Sequence, residues 1–303
     1  MHRLAPLTAL LVFSAAASAQ ETLPPFAPGK GTTLKFDLTS SAKIGMGPVA
    51  GRSEVTLHTV VQVLDTDEKG TRLSITWQET HGEVVLPMLT TRFDSRQPVA
   101  TPVPPGGGRL ARLLTESATH DIRRPWEALV GFSYEVVVDR SGVVTDMPDL
   151  AKRLAERRKL VHQAGNEDTV NSFLDERTLR WHVGLMVPGR GGESSKAGDT
   201  WKTPATIGVG HGTLAVVDVE VRSELRTFAA DTATIESAAT PRSASPSVTA
   251  ANAVFEGSLL ASRVDGFAES GWRALDVELR HRGAARLLDQ KVECDWTVRR
   301  VRD

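Results

Sequence analysis

The segment from Glu79 to Glu83 carries the side chains best suited to chemistry in this chain. An imidazole lies between two carboxylates, with Glu79, His81 and Glu83 at alternate positions. Alternate residues of a β-strand share one face, so these three could hold a metal ion. Side chains two apart on a strand are about 7 Å apart, however, and one ion reaches three of them poorly. We interpret the cluster as an exposed polar face, with metal binding as the less favoured hypothesis and a turn at Gly82 as an alternative.

Other patterns of catalytic residues do not occur. The sequence has no G-x-S-x-G, H-E-x-x-H or C-x-x-C motif. The segment 65–70 begins like a calcium loop, but Lys69 occupies the fifth position and Thr76 replaces the glutamate expected at the twelfth. Cys294, the only cysteine, alternates with apolar neighbours, which predicts a small hydrophobic residue on the inner face of a strand. The sequence therefore predicts no enzyme activity, no cofactor and no identifiable ligand-binding residues.

The first 20 residues have the composition of a secretory signal peptide. A basic start precedes an apolar run from Leu4 to Ala17, and the small residues 17–19 predict cleavage after Ala19. The formal net charge of −1, with both signs mixed along the chain, gives no electrostatic footprint for nucleic acid. We expect a soluble protein of the cell envelope, periplasmic or secreted, with no transmembrane segment after signal cleavage.

Most of the remaining chain alternates between apolar and polar residues, as half-buried strands do. Leu34, Phe36 and Leu38, for example, are separated by Lys35 and Asp37. The predicted fold is mainly β (α+β), with antiparallel sheets in two β segments that form either a duplicated sandwich or an open barrel. The strand positions of three tryptophans predict core or cavity-lining side chains: Trp77, Trp272 and Trp296.

Two amphipathic helices are predicted in the middle of the chain. The first follows Asp146 and places Leu150, Leu154 and Val161 at helical spacing, and the second begins at Asn166. The predicted organisation is a signal peptide (1–19), an N-terminal β segment (20–148), a helical segment (149–187) and a C-terminal β segment (188–303). The two β segments could also form one continuous domain. Loops are expected at 98–108 and 240–250, where proline, glycine and serine are frequent.

Three short motifs resemble those of a family of exported bacterial β-rich proteins of unknown function. They are the strand opening GTTLK at 31–35, the strand-turn-strand from Tyr134 to Val144, and the phrase KAGDTW at 196–201. The resemblance implies a two-part β architecture with intervening helices. It supplies no catalytic residue, because each motif is structural.

Three functions are compatible with these observations. The preferred one is a non-enzymatic envelope protein that binds an apolar molecule or lipid in a β-lined groove covered by the helices. The second is a structural or protein-interaction module of the envelope that pairs through exposed strand edges. The third is a metal-dependent enzyme centred on residues 79–83.

Overall fold

The structure is a computed structural model. It describes residues 21–46, 49–86, 89–97, 123–164, 170, 173–192, 194–209, 215–243, 248–281 and 290–302. The predicted signal peptide and the predicted loop at 98–108 lie outside these residues.

The described chain contains fourteen strands and three helices. The strands are β1 (Thr22–Leu23), β2 (Thr33–Met46), β3 (Val49–Thr66), β4 (Thr71–Leu86), β5 (Leu89–Asp94), β6 (Ser133–Val138), β7 (Val144–Asp146), β8 (Ser195–Lys196), β9 (Thr200–Val209), β10 (Ala215–Phe228), β11 (Thr232–Ser243), β12 (Val248–Ser262), β13 (Ala268–His281) and β14 (Gln290–Val301). The helices are α1 (residues 123–127), α2 (Leu150–Ala164) and α3 (Glu176–Met186).

Twelve of the strands form one antiparallel sheet. Its order is β7-β6-β4-β3-β2-β14-β13-β12-β11-β10-β9, and β5 pairs with β4 beside β6. β2 pairs with β14, so strands from both predicted β segments share the sheet. β7 and β9 end it without closing it, while β1 and β8 form a separate pair. The mainly β, antiparallel class with central helices is confirmed, as one open sheet rather than two packed sheets.

One face of the sheet is apolar and faces the helices. Phe36 on β2, Leu57 on β3 and Leu275 on β13 are buried, and the residues beside them on the strands point the other way. The strand alternation read from sequence produces this face, because successive side chains of a strand alternate between its two sides. Cys294 on β14 is buried on this face, as predicted.

The helices cover this apolar face. Leu154 and Val161 of α2 are buried in the core that the sheet forms. The basic side chains of α2 also hold neighbouring backbone: Arg157 donates to the carbonyls of Ala128 (2.8 Å) and Val130 (3.0 Å). None of the helices in the described part of the chain combines the length and the apolar composition needed to cross a membrane.

The helix α3 begins later than the sequence predicted. Asp175 is its N-cap and accepts a hydrogen bond from the backbone N–H of Arg177 at 2.9 Å. Phe173 and Leu174, predicted to be helical, precede the cap and are buried. The predicted start at Asn166 lies outside the described residues. The cap decides the boundary, because its side chain satisfies a backbone N–H that the first turn leaves unpaired.

Two further predictions need correction. Residues 240–243 belong to β11 and pair with β10, and residues 248–250 belong to β12, so strands occupy both ends of the loop predicted at 240–250. Trp77 and Trp296 are buried as expected, but the side chain of Trp272 is 42% exposed. Its strand β13 presents Arg273 rather than Trp272 to the inner face.

Gly82 does not turn the chain but lies within β4, between β3 and β5. A Cβ there would lie 2.2 Å from the backbone oxygen of Glu54 and 2.9 Å from Cζ of Phe93. Gly82→Ala should therefore lower the free energy of unfolding by about 1–3 kcal/mol, through overpacking. Urea unfolding measures the change. The matched control is Gly192→Ala, where nothing lies within 4 Å of the added Cβ. Equal stability of both variants would contradict the close approach.

His182 on α3 makes stability depend on pH. Burial lowers the pKa of His182 to about 4, against 6.5 in an unfolded chain. Between these values the unfolded state binds one more proton at this site, so stability is full above pH 6.5 and falls as the pH drops. The loss should approach about 3 kcal/mol near pH 4.

Urea unfolding at pH values from 7.5 to 4.5 tests this linkage. His182→Leu should flatten the pH dependence relative to the wild type. His162→Leu, at an exposed position of α2, should leave the dependence unchanged. Parallel curves for the wild type and His182→Leu would show that His182 is not the group responsible.

Candidate functional site

The residues at 79–83 lie on β4 and bind neighbouring side chains. Glu83 contacts Arg92 at 3.2 Å and Arg52 at 3.6 Å, and Glu79 contacts Arg96 at 3.6 Å. Each carboxylate is therefore opposite a guanidinium. Such half-exposed pairs contribute little to stability, but they neutralise the charge that a metal ion would need.

His81 is part of a different arrangement, which crosses three strands. Its Nδ1 lies 3.0 Å from Nε2 of His58, and Nδ1 of His58 lies 2.6 Å from Oδ1 of Asp37. Arg299 donates to the other oxygen of Asp37 at 2.6 Å. Burial, followed by the charges of His58 and Arg96, lowers the pKa of His81. The two histidines and Asp37 join β4, β3 and β2 on the outer face of the sheet, and Arg299 extends the chain of hydrogen bonds to β14.

The structure does not assemble a metal centre at this place. Within the described ranges, no group of three or more His, Cys, Asp and Glu side chains is arranged to hold an ion. Glu79 and Glu83 are each opposite an arginine, while His81 contacts His58. The arrangement supports the interpretation of this cluster as a polar face, and we propose no metal site there.

A cavity of about 460 Å³ lies on the other side of the sheet, between α3, β9 and β10. Its size is that of a small-molecule site, and most of its lining is apolar. The buried residues of the lining form its floor: Trp181, Val187, Val219, Val221, Ser223 and Arg273. Two exposed residues of the lining mark its mouth: Val143 and Arg177. The cavity therefore lies near the gap between the two ends of the sheet, β7 and β9.

Arg273 is the charged group in the floor of this cavity. Its side chain comes from β13, and its guanidinium carbon lies 4.7 Å from the ring centroid of Trp181 on α3. Burial lowers the pKa of Arg273 to about 10, and no carboxylate among the described residues offsets this effect. Nε of Arg273 is buried without a hydrogen-bond partner. A cation is thus held in an apolar cavity by one aromatic ring.

Two glycines lie beside this side chain, and one of them makes room for it. Gly257 on β12 is the cross-strand partner of Arg273, and a Cβ there would lie 2.6 Å from Cγ of Arg273. Gly184 on α3 also lines the cavity, and a Cβ there would lie 3.9 Å from Nη1 of Arg273. Glycine therefore lies beside the stem of Arg273 on the sheet and beside its guanidinium on the helix.

The acidic residues of the cavity lining do not pair with Arg273. The carboxylate of Asp218 accepts from the hydroxyl of Thr206 at 2.7 Å, and that of Glu220 accepts from Lys202 at 2.7 Å. Both acidic residues alternate with the buried valines of β10 and so point to the outer face. Arg180, which also lines the cavity, donates to Glu176 at 2.8 Å.

A second buried arginine shows how this protein satisfies such a group elsewhere. Arg190 donates to the carbonyls of Gly266 (2.9 Å) and Pro188 (3.3 Å), and it lies over the ring of Phe26. Burial lowers the pKa of Arg190 to about 10, while the charge of Asp265 acts in the opposite direction. Arg273 has an aromatic partner but no such acceptors among the residues described.

Sequence reasoning missed Arg273, although the signal was present. Arg273 has the same parity in β13 as Leu275, Val277 and Leu279, all of which are buried on the inner face. A charged residue that continues an apolar stripe is the pattern that could have identified it. The sequence prediction placed Trp272 inside instead, because it alternates with polar residues along the strand.

Comparisons with known proteins add little. No family model matches the chain, and no curated protein matches it. A structure of lipid–protein interactions in lipovitellin has a TM-score of 0.41 and 8% identity over 90% of this chain, and this chain spans 25% of it. DynF from the dynemicin biosynthesis pathway of Micromonospora chersina has a TM-score of 0.23 and 6% identity, covering 97% of this chain and 92% of its own. An outer membrane channel from Pseudomonas putida F1 has a TM-score of 0.22 and 8% identity, covering 91% and 98%. Likenesses this weak carry no argument about function.

The environment of Arg273 predicts an unusual effect on stability. Arg273→Met keeps an unbranched apolar stem but removes a buried charge that has no counter-ion. The ligand-free variant should gain about 1 kcal/mol in free energy of unfolding, because the lost desolvation penalty exceeds the lost contact with Trp181. Urea unfolding of ligand-free protein measures it. Arg190→Met is the matched comparison and should be destabilised, since it leaves two carbonyls unpaired. Destabilisation of both variants would mean that Arg273 only supports the fold.

Proposed function

We propose that this protein binds an apolar or amphipathic small molecule in the cavity between α3 and the strands β9 and β10. The observation that carries the proposal is the cavity itself, with a volume of about 460 Å³ and a mostly apolar lining. Protein interiors are close-packed, so a space of this size in an otherwise filled core needs an occupant or a reason.

The packing around the cavity supports this proposal. Aromatic side chains fill the inner face next to the cavity: Trp181 packs edge-on against Trp296 (5.3 Å between ring centroids) and Phe255 (5.8 Å). The space remains beside Trp181, on the same face of α3, where the helix carries Gly184 and the sheet carries Val219 and Val221. A helix side with glycine opposite small apolar strand residues leaves a groove rather than a packed interface.

We also propose where in the cell the protein acts. The N-terminal signal pattern supports export to the periplasm or beyond. A carrier or sensor of apolar molecules is useful there, because such molecules need shelter from water between membranes. We propose a binding role without catalysis, because none of the described residues that line the cavity is a reactive side chain with a partner that would activate it.

The proposal is tested with protein purified without detergent, stripped of any bound molecule by solvent extraction and refolding. The probe is N-phenyl-1-naphthylamine, a neutral dye whose fluorescence rises in apolar surroundings. We expect saturable binding of one dye per protein. Gly184→Leu should weaken it at least tenfold, because the leucine side chain fills the cavity from α3.

Two matched variants keep this experiment interpretable. Gly184→Ala adds only a methyl group in ordinary van der Waals contact and replaces a helical glycine, so it should fold well and bind the dye nearly as the wild type does. Gly192→Leu changes a glycine that is not among the lining residues and has nothing within 4 Å of the added Cβ, so it should bind normally. Dye binding that is absent, non-saturable, or insensitive to Gly184→Leu would argue against the cavity as the site.

A further inference from the structure

We propose that the ligand of this cavity carries an anionic headgroup, a carboxylate or a phosphate monoester, and that Arg273 binds it while the apolar part of the ligand occupies the rest of the cavity. This inference rests on the proposed function and specifies the class of molecule bound.

The position of Arg273 is the first argument. The side chain is 8% exposed, and it lines the cavity at its floor. Its guanidinium reaches the wall formed by α3, where Nη1 lies 3.9 Å from the place that a Cβ of Gly184 would take. The guanidinium is therefore within the cavity, and a ligand that enters meets it.

The absence of a counter-ion is the second argument. Arg273 has no ion pair and no hydrogen bond within the described chain, and Nε is buried with no acceptor. The acidic groups nearest along the lining, Asp218 and Glu220, are bound by Thr206 and Lys202. An isolated buried cation is costly, and such groups are retained when something compensates them. A ligand anion would supply that compensation.

The local design around Arg273 is the third argument. The guanidinium carbon of Arg273 lies 4.7 Å from the ring centroid of Trp181, and the side chain has no hydrogen-bond acceptor among the described residues. Arginine presents its N–H donors in a planar fork that matches two oxygens of a carboxylate or phosphate. Gly257 leaves space for the side-chain stem. Both features orient the group, as a recognition site requires.

The contacts of Arg190 provide a comparison within the same protein. That guanidinium is also buried and its Nε likewise has no acceptor, but it donates to two backbone carbonyls and lies near Asp265. These contacts compensate the charge of Arg190 from within the protein. The difference between these two buried arginines is what separates a structural role from a recognition role.

The test compares three ligands of equal chain length by isothermal titration calorimetry at pH 8: decanoate, decyl phosphate and decan-1-ol. At this pH the two acids are ionised, and the alcohol carries no charge. We expect at least one of the anions to bind about 30-fold more tightly than the alcohol, or about 2 kcal/mol. The preferred anion identifies the headgroup. Inorganic phosphate and acetate, which lack a chain, should bind at least 100-fold more weakly than their decyl counterparts.

Variants of Arg273 then assign the preference to this residue. Arg273→Met should bind the anion no more tightly than the alcohol, while its affinity for the alcohol stays within about threefold of the wild type. Arg273→Lys keeps the charge but loses the fork, so an intermediate preference is expected. The control is Arg222→Met, which removes a positive charge from the exposed face of β10 and should change nothing. If Arg273→Met does not fold, Arg273→Gln replaces it in the same comparison.

The outcomes separate this inference from the proposed function. Equal binding of all three decyl ligands by the wild type, or an anion preference that survives in Arg273→Met, would overturn the inference and leave apolar binding intact. Equal affinity for chain-free phosphate and decyl phosphate would overturn the amphipathic part of it. Failure of the wild type to bind any decyl compound would overturn the proposed function and this inference together.

Discussion

The structure depends on the contact between one short helix and an open sheet. A sheet of twelve antiparallel strands has a large apolar face, and its two end strands do not close over it. α3 supplies the cover with adjacent residues that point in different directions: Trp181 packs on Trp296 of β14, and His182 lies 6.3 Å from Trp77 of β4 between ring centroids. Strands from both parts of the chain thus pack on the same helix turn. Without this turn of α3, the part of the inner face that it covers would be exposed to water.

This arrangement also explains why a cavity exists. A single helix of eleven residues cannot fill the inner face of a twelve-stranded sheet along its whole width, because side chains reach only a few ångströms from a helix axis. The side of α3 near β4 and β14 is packed with aromatic rings. The side facing β9 and β10 carries Gly184, and there the space stays open. The cavity therefore lies where the side chains of the helix are smallest, at Gly184.

The outer face of the sheet is polar and carries ion pairs between neighbouring strands. Its charged side chains pair across neighbouring strands, as in Lys43 with Glu293 at 3.3 Å and Lys202 with Glu220 at 2.7 Å. Pairs this exposed contribute at most about 1 kcal/mol each. Their role is to keep the outer face polar and the strands in register, and the cluster of His58 and His81 belongs to the same face. Stability comes from the inner face, and so does the candidate site.

The amino-acid sequence alone determined the class of the fold and most of the strands, because apolar and polar residues alternate with a period of two and a strand converts that period into two faces. It also determined the burial of Cys294 and the first central helix. It could not determine the order of the strands, such as β2 beside β14, because pairing joins segments about 250 residues apart. Nor could it determine the start of α3, which a single cap at Asp175 decides. The candidate site belongs to tertiary structure for the same reason. Arg273, Trp181 and Gly184 come from different elements, and only the packing of α3 on the sheet shows that a buried arginine faces an open space and has no partner.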